Sequence, residues 1–134
     1  MDYDQVPSPS FVLEEALLRQ NLELIRNVRE EAGVSIILAL KGFSMWSVFP
    51  MVKKYLSGAT ASSLDEARLI FEEMGVKAHI YSPAYLPGDF AEVMRYSSHI
   101  TFNSLNQFHQ YKDQVHHFSE PISMGLRVNP EYAV

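Results

Sequence analysis

The chain has 134 residues, of which 47% are hydrophobic and 20% charged, with 16 acidic against 11 basic side chains and a net charge of −5. That is enough for one modest domain with a real core, and without a Lys/Arg stripe it argues against nucleic acid as a partner. The absence of cysteine excludes disulfides, thiolate zinc sites and a cysteine nucleophile, and no apolar run reaches the ~18 residues of a membrane helix.

The opening stretch, MDYDQVPSPS, has no basic n-region and no apolar h-region, so no secretory signal is read there. Its prolines suggest a short extended arm over residues 1–10, ahead of a partial barrel domain over 11–134. Cytoplasmic location is the default expectation. The first helix is EEALLRQNLELIRNVREEAG, where Leu18, Leu22, Ile25 and Ala32 form one apolar stripe at helical period. Gly33 follows as its C′ residue. The first strand, SIILAL (35–40), runs straight into Lys41 and Gly42. A second helix is expected over about 47–57, with Ser47 as cap and Pro50 in the first turn, where a missing N–H costs little.

The next strand, GATASS (58–63), leads into SLDEARLIFEEMG. This helix opens with a capping box from Ser63 to Glu66 and closes on Gly75. AHIYSP (78–83) is the third strand, and a short helix follows over about 88–96. HITFNS (99–104) leads into a second capping box, Ser104 to Gln107, opening SLNQFHQYKDQ. The fifth strand, ISMGLRVNP (122–130), ends in a turn at Asn129-Pro130.

The strand ends fall near residues 41, 63, 82, 104 and 127, at intervals of 22, 19, 22 and 23. This is a βα repeat, which implies a parallel sheet. No G-x-G-x-x-G follows the first strand, against a doubly wound dinucleotide fold, and the leucine-rich-repeat pattern is absent. A (β/α)8 TIM-like barrel fits better, because its strand ends carry the chemistry. Here those ends hold Lys41, Thr60 with Ser62, Ser82, Asn103, and Arg127 with Asn129. A barrel needs eight strands and about 250 residues, whereas five βα units are present. The expectation is therefore the amino-terminal portion of a larger protein, or a chain that finds its missing strands elsewhere.

An ammonium group is expensive to bury, so Lys41 either escapes to solvent or is there to react. Desolvation at a barrel mouth would free its neutral amine as a Schiff-base nucleophile, with Gly42 letting a planar ligand approach. Arg127 reads either as a surface ion pair or as a fixed cation facing a phenolate or carboxylate. Thr60 and Ser62 either face a ligand or are satisfied hydroxyls, and Ser63 reads as a helix cap. The histidines lack metal-ligand spacing, so no metal site is expected. His79 and His99 open strands and are expected opposite the catalytic face. Phe43, Trp46 and Phe49 are expected to pack.

The segments FVLEEALLRQNLELI, ILALKGFSMWSVFPMV, LSGATASSLDEARLIFEEMG, HITFNSLNQ and GLRVNPEY resemble the amino-terminal part of the carboxynorspermidine (carboxyspermidine) decarboxylases. These are fold-type III pyridoxal-phosphate enzymes, whose barrel is of the alanine racemase/ornithine decarboxylase type. The resemblance implies that Lys41 carries pyridoxal 5′-phosphate as a Schiff base and that Arg127 stands near the cofactor's ring oxygen. It places Thr60 where relatives such as ornithine decarboxylase carry an aspartate, with Ser62 beside it. It further implies a carboxylated polyamine substrate, a homodimer, and a role in norspermidine or spermidine synthesis. The ring-stacking histidine, the phosphate loop, the glutamate facing the pyridine nitrogen and the carboxy-terminal β domain come later in the family's chain. The alternatives are a non-catalytic pyridoxal-phosphate-binding barrel and an inactive truncated fragment.

Overall fold

The computed structural model describes residues 3–132; the first two residues of the expected arm and the last two of the expected barrel segment lie outside it. The arm is not wholly extended, because Tyr3–Gln5 form a 3₁₀ turn. Helix α1 (Glu15–Ala32) ends on Gly33, whose left-handed backbone (φ 63°) turns its N–H onto Arg29 and Glu30 carbonyls. Leu22 is buried, and Leu18 and Ile25 pack against the core. Ala32 is exposed, since the stripe leaves the core before the last turn. Arg29 Nη1 donates to the Tyr55 carbonyl at 2.7 Å, and the Arg26 guanidinium lies 5.5 Å from the Tyr55 ring centre, pinning α1 to the loop before the second strand.

Strand β1 is only Leu38–Ala39, shorter than the apolar run that announces it. The expected second helix is broken. A 3₁₀ turn, Trp46–Val48, precedes α2 (Phe49–Val52), and further turns carry the chain to Leu56. Buried Phe49, Val52 and Tyr55 recur every three residues, a spacing that suits tight turns better than a continuous α-helix. Val48 rather than Ser47 takes the cap position.

Strand β2 is Ala59–Ala61, β3 Ala78–Tyr81, β4 Ser97–Phe102 and β5 Ser123–Leu126. Between them run α3 (Leu64–Leu69, continued by a π-helical turn to Met74), α4 (Phe90–Tyr96) and α5 (Leu105–His116). The sheet is entirely parallel, in the order β1-β2-β3-β4-β5. Each strand lies beside its sequence neighbour, so the winding never reverses, as it would at the switch point of a doubly wound sheet.

Side chains alternate across each strand. Ala59, Ala61, Ala78, Ile80, Ile100 and Phe102 are buried, whereas Thr60, His79, Tyr81, His99 and Thr101 on the opposite face are half-buried or exposed. Aromatic rings fill the covered side. Phe90 stacks on Tyr111 at 3.9 Å, and Tyr85 and Phe102 meet them edge-on or offset. The Tyr85 hydroxyl donates to Thr101 O (2.9 Å) and accepts from Ser82 N (3.2 Å) where β3 and β4 end. Burial pushes its pKa up to about 12, so it remains a neutral donor. Tyr85→Phe leaves those backbone groups unpaired. It should cost about 1–3 kcal/mol, read as a lower urea midpoint with an unchanged slope; an unchanged midpoint would show that water replaces the hydroxyl.

Candidate active site

Because all five strands point the same way, their carboxyl ends share one rim. Lys41 sits in the turn just past β1. The Gly42 and Phe43 amides both donate to Ala39 O (2.9 and 3.2 Å), which ends the strand at the lysine. Lys41 is exposed, so the expected desolvation is not realised among the described residues. Thr60 is half-buried in mid-β2, in register with Ala39 on one side and His79 on the other.

Ser62 is held from below. Its amide donates to Glu66 Oε2 at 2.6 Å, while Ser63 Oγ accepts from Glu66 N at 3.2 Å. The second box repeats this: the Asn103 amide donates to Gln107 Oε1 (2.7 Å), and Ser104 Oγ accepts from Gln107 N (3.2 Å). In both, the acidic or amide side chain reaches one residue further back than in the usual box. It thereby fixes the last residue before the cap, at the rim.

Arg127 follows β5 and continues its ladder, donating from its amide to Phe102 O at 2.9 Å. Its guanidinium crosses to Tyr81 and Asn103. Nη1 donates to the Tyr81 hydroxyl and, at 3.5 Å, toward Asn103 Oδ1. Tyr81 in turn donates to Asn103 Oδ1 at 2.8 Å. Thus Lys41, Thr60, Ser62 and Arg127 share the rim or open face, but no hydrogen bond joins them to one another among the described residues. After β5, residues 127–132 form no regular turn, and Glu131 N donates locally to Asn129 Oδ1 at 3.1 Å.

Sequence reading noted Asn103 only as a polar strand end and passed over Tyr81. The signal for Tyr81 was alternation: it stands two residues beyond His79, hence on the same face. The histidines need a correction. His79 and His99 are not set apart from the site but lie on the open face beside Thr60, stacked with ring centres 3.7 Å apart. The bulge at Ala78/His79 and strand register bring them together, neither of which spacing reveals. Among the described residues no cluster of three or more His, Asp or Glu could hold a metal. Of the aromatics expected to pack, Phe49 is buried but Trp46 is exposed. With Phe11, Leu13 and Phe43 it lines a hollow of about 720 Å³ beside the Lys41 turn.

No protein-family model matches the chain. It is 47% identical over 128 residues to a carboxyaminopropylagmatine decarboxylase of Synechocystis sp., covering 96% of this chain. It is 40% identical over 134 residues to a carboxynorspermidine/carboxyspermidine decarboxylase of Campylobacter jejuni, and 37% identical over 125 residues to that of Herminiimonas arsenicoxydans. The crystal structure of the C. jejuni carboxynorspermidine decarboxylase complexed with norspermidine superposes with a TM-score of 0.89, covering 96% of this chain at 40% identity. The chain is homologous to the carboxynorspermidine/carboxyspermidine decarboxylases. It spans about a third of their length, 33 or 34% of each relative. The resemblance read from the LKGF, ATASSLDEA and GLRVNPEY segments therefore stands. The five-stranded parallel sheet matches part of the decarboxylase fold.

Burial first, and the neighbouring His99 second, hold the His79 imidazole below its ordinary value of 6.5. The unfolded chain then binds a proton more readily than the folded one. The stability involved is complete above about pH 6.5 and is lost as pH falls through the folded midpoint. The His79 resonance in a ¹H–¹³C titration should move with a midpoint below 6.5, and His79→Gln should flatten the acid limb of the stability profile. A midpoint at or above 6.5 would contradict the burial.

Proposed function

We propose that this chain forms the first five βα units of a (β/α)8 barrel in a homodimeric, cytoplasmic, pyridoxal-phosphate-dependent decarboxylase of carboxynorspermidine or carboxyspermidine. The observation that carries the reading is the likeness, at a TM-score of 0.89, to a carboxynorspermidine decarboxylase holding norspermidine. Two features of the chain support it. An all-parallel sheet is expected to be covered on both faces; here one face is open, which suits a barrel lumen. The strand-end donors also suit the cofactor: a primary amine at Lys41, and at Arg127 a guanidinium with no carboxylate within 4.0 Å among the described residues.

Bound pyridoxal phosphate supplies the electron sink that lets carbon dioxide leave an α-amino acid. The chain's own residues bind and orient. Lys41 would provide the amine that holds the cofactor through its aldehyde. Arg127, with its permanent positive charge, would help to hold the cofactor's oxygens. Thr60 stands on the lumen face with a neutral hydroxyl, and Ser62, tethered through its backbone to Glu66, shapes the rim. Neither Thr60 nor Ser62 adds charge, so Lys41 and Arg127 would supply the positive charge at these strand ends.

A second substrate reading has its own support. The 47% relative is named for carboxyaminopropylagmatine, a higher identity than either carboxy(nor)spermidine enzyme shows. The decisive assay offers the full-length protein carboxynorspermidine, carboxyspermidine, carboxyaminopropylagmatine, diaminopimelate and ornithine in separate incubations and measures released carbon dioxide. One of the first three should be preferred, and Lys41→Ala should abolish both turnover and the visible absorbance of the bound cofactor. Preference for diaminopimelate or ornithine, or an unchanged spectrum in the variant, would defeat the proposal.

A further inference from the structure

We infer that Tyr81, braced by Asn103, is the positioning residue of Arg127: it fixes where the guanidinium stands on the rim and which of its N–H groups remain for an anionic ligand. The identity of that ligand, pyridoxal phosphate, rests on the function proposed above.

Arg127 lies beyond β5, whereas Tyr81 belongs to β3, so the side chain spans the whole width of β4 to make its contact. An exposed arginine gives up rotamer freedom when it is fixed, so a single defined pose needs partners. Here it has two kinds. Nη1 donates to the Tyr81 hydroxyl, and the guanidinium carbon lies 5.4 Å from the Tyr81 ring centre, within cation–π range.

With Asn103 Oδ1 facing Tyr81, the arrangement of protons follows. Arginine has no acceptor and the amide oxygen no donor, so the Tyr81 hydroxyl must accept from Arg127 and give its own proton to Asn103 Oδ1. Asn103 is in turn held through its backbone N–H by Gln107, the third residue of α5. The pose is thus referred back to a helix start rather than left to a surface side chain.

Gly125, two residues before Arg127, is the register partner of Thr101, and a Cβ there would come within 3.2 Å of Thr101 Oγ1. With Nη1 engaged, Nη2 and Nε have no hydrogen-bond partner among the described residues. They are the groups that remain to meet a ligand oxygen.

The test is a double-mutant cycle on the full-length apoprotein, reading equilibrium affinity for pyridoxal 5′-phosphate by fluorescence quenching, and thermal midpoint in parallel. Tyr81→Phe keeps the ring and removes only the hydroxyl. If Tyr81 acts through Arg127, it should weaken binding about five- to tenfold when Arg127 is present and less than about twofold in an Arg127→Ala background. A merely structural tyrosine would give equal losses in both backgrounds, which would overturn the inference, as would no loss in either. Should Tyr81→Phe not fold, Asn103→Ala removes the brace and must show the same non-additivity with Arg127→Ala. Wild-type protein that takes up no pyridoxal phosphate overturns the cofactor reading, and the inference with it. Uptake with additive losses overturns the inference alone.

Discussion

Five strands run parallel in sequence order, and the placement of every candidate group follows from that constraint. Parallel pairing makes each connection cross back over the sheet, and because the strand order never reverses these connections cover one face and leave the other open. It also sends every strand's carboxyl end to the same rim. Lys41 and Arg127 stand 86 positions apart in sequence, yet both follow a strand and so share that rim. Were β1 or β5 antiparallel to the rest, its residue would lie at the opposite end of the sheet.

The rim is braced by its helices as much as by the sheet. Both capping boxes reach back past the cap serine to the preceding residue, Ser62 in one case and Asn103 in the other. Each therefore joins a helix start to a rim position. Tyr85 does the corresponding work between β3 and β4, where its hydroxyl satisfies backbone groups left over as the strands end. Its own carbonyl accepts from the Tyr111 hydroxyl at 2.9 Å, which connects the rim to the aromatic core beneath α4 and α5.

What was legible in the sequence was local. The Ser-to-Glu and Ser-to-Gln spacings announced two helix starts because a capping box is made by residues three apart. Gly33 and Gly75 announced helix ends because both adopt the left-handed backbone that glycine tolerates, with φ of 63° and 66°. Lys41 was legible because a lysine ending an apolar run is chemically conspicuous. What was hidden depended on register or on packing distance. The histidine pair, the Tyr81–Asn103–Arg127 cluster and the tight turns that replace the second helix arise only when strands align or when side chains three apart must all be buried. The exposure of Lys41 was hidden too, because desolvation is a property of whatever lies across the open face.

On the function proposed above, one amine on this rim bonds an aldehyde. Borohydride reduction of the full-length protein loaded with pyridoxal phosphate, followed by peptide mapping, locates that bond directly. A reduced phosphopyridoxyl group is expected on Lys41 alone. A label on Lys53, Lys54 or any other lysine, with Lys41 unmodified, would contradict it.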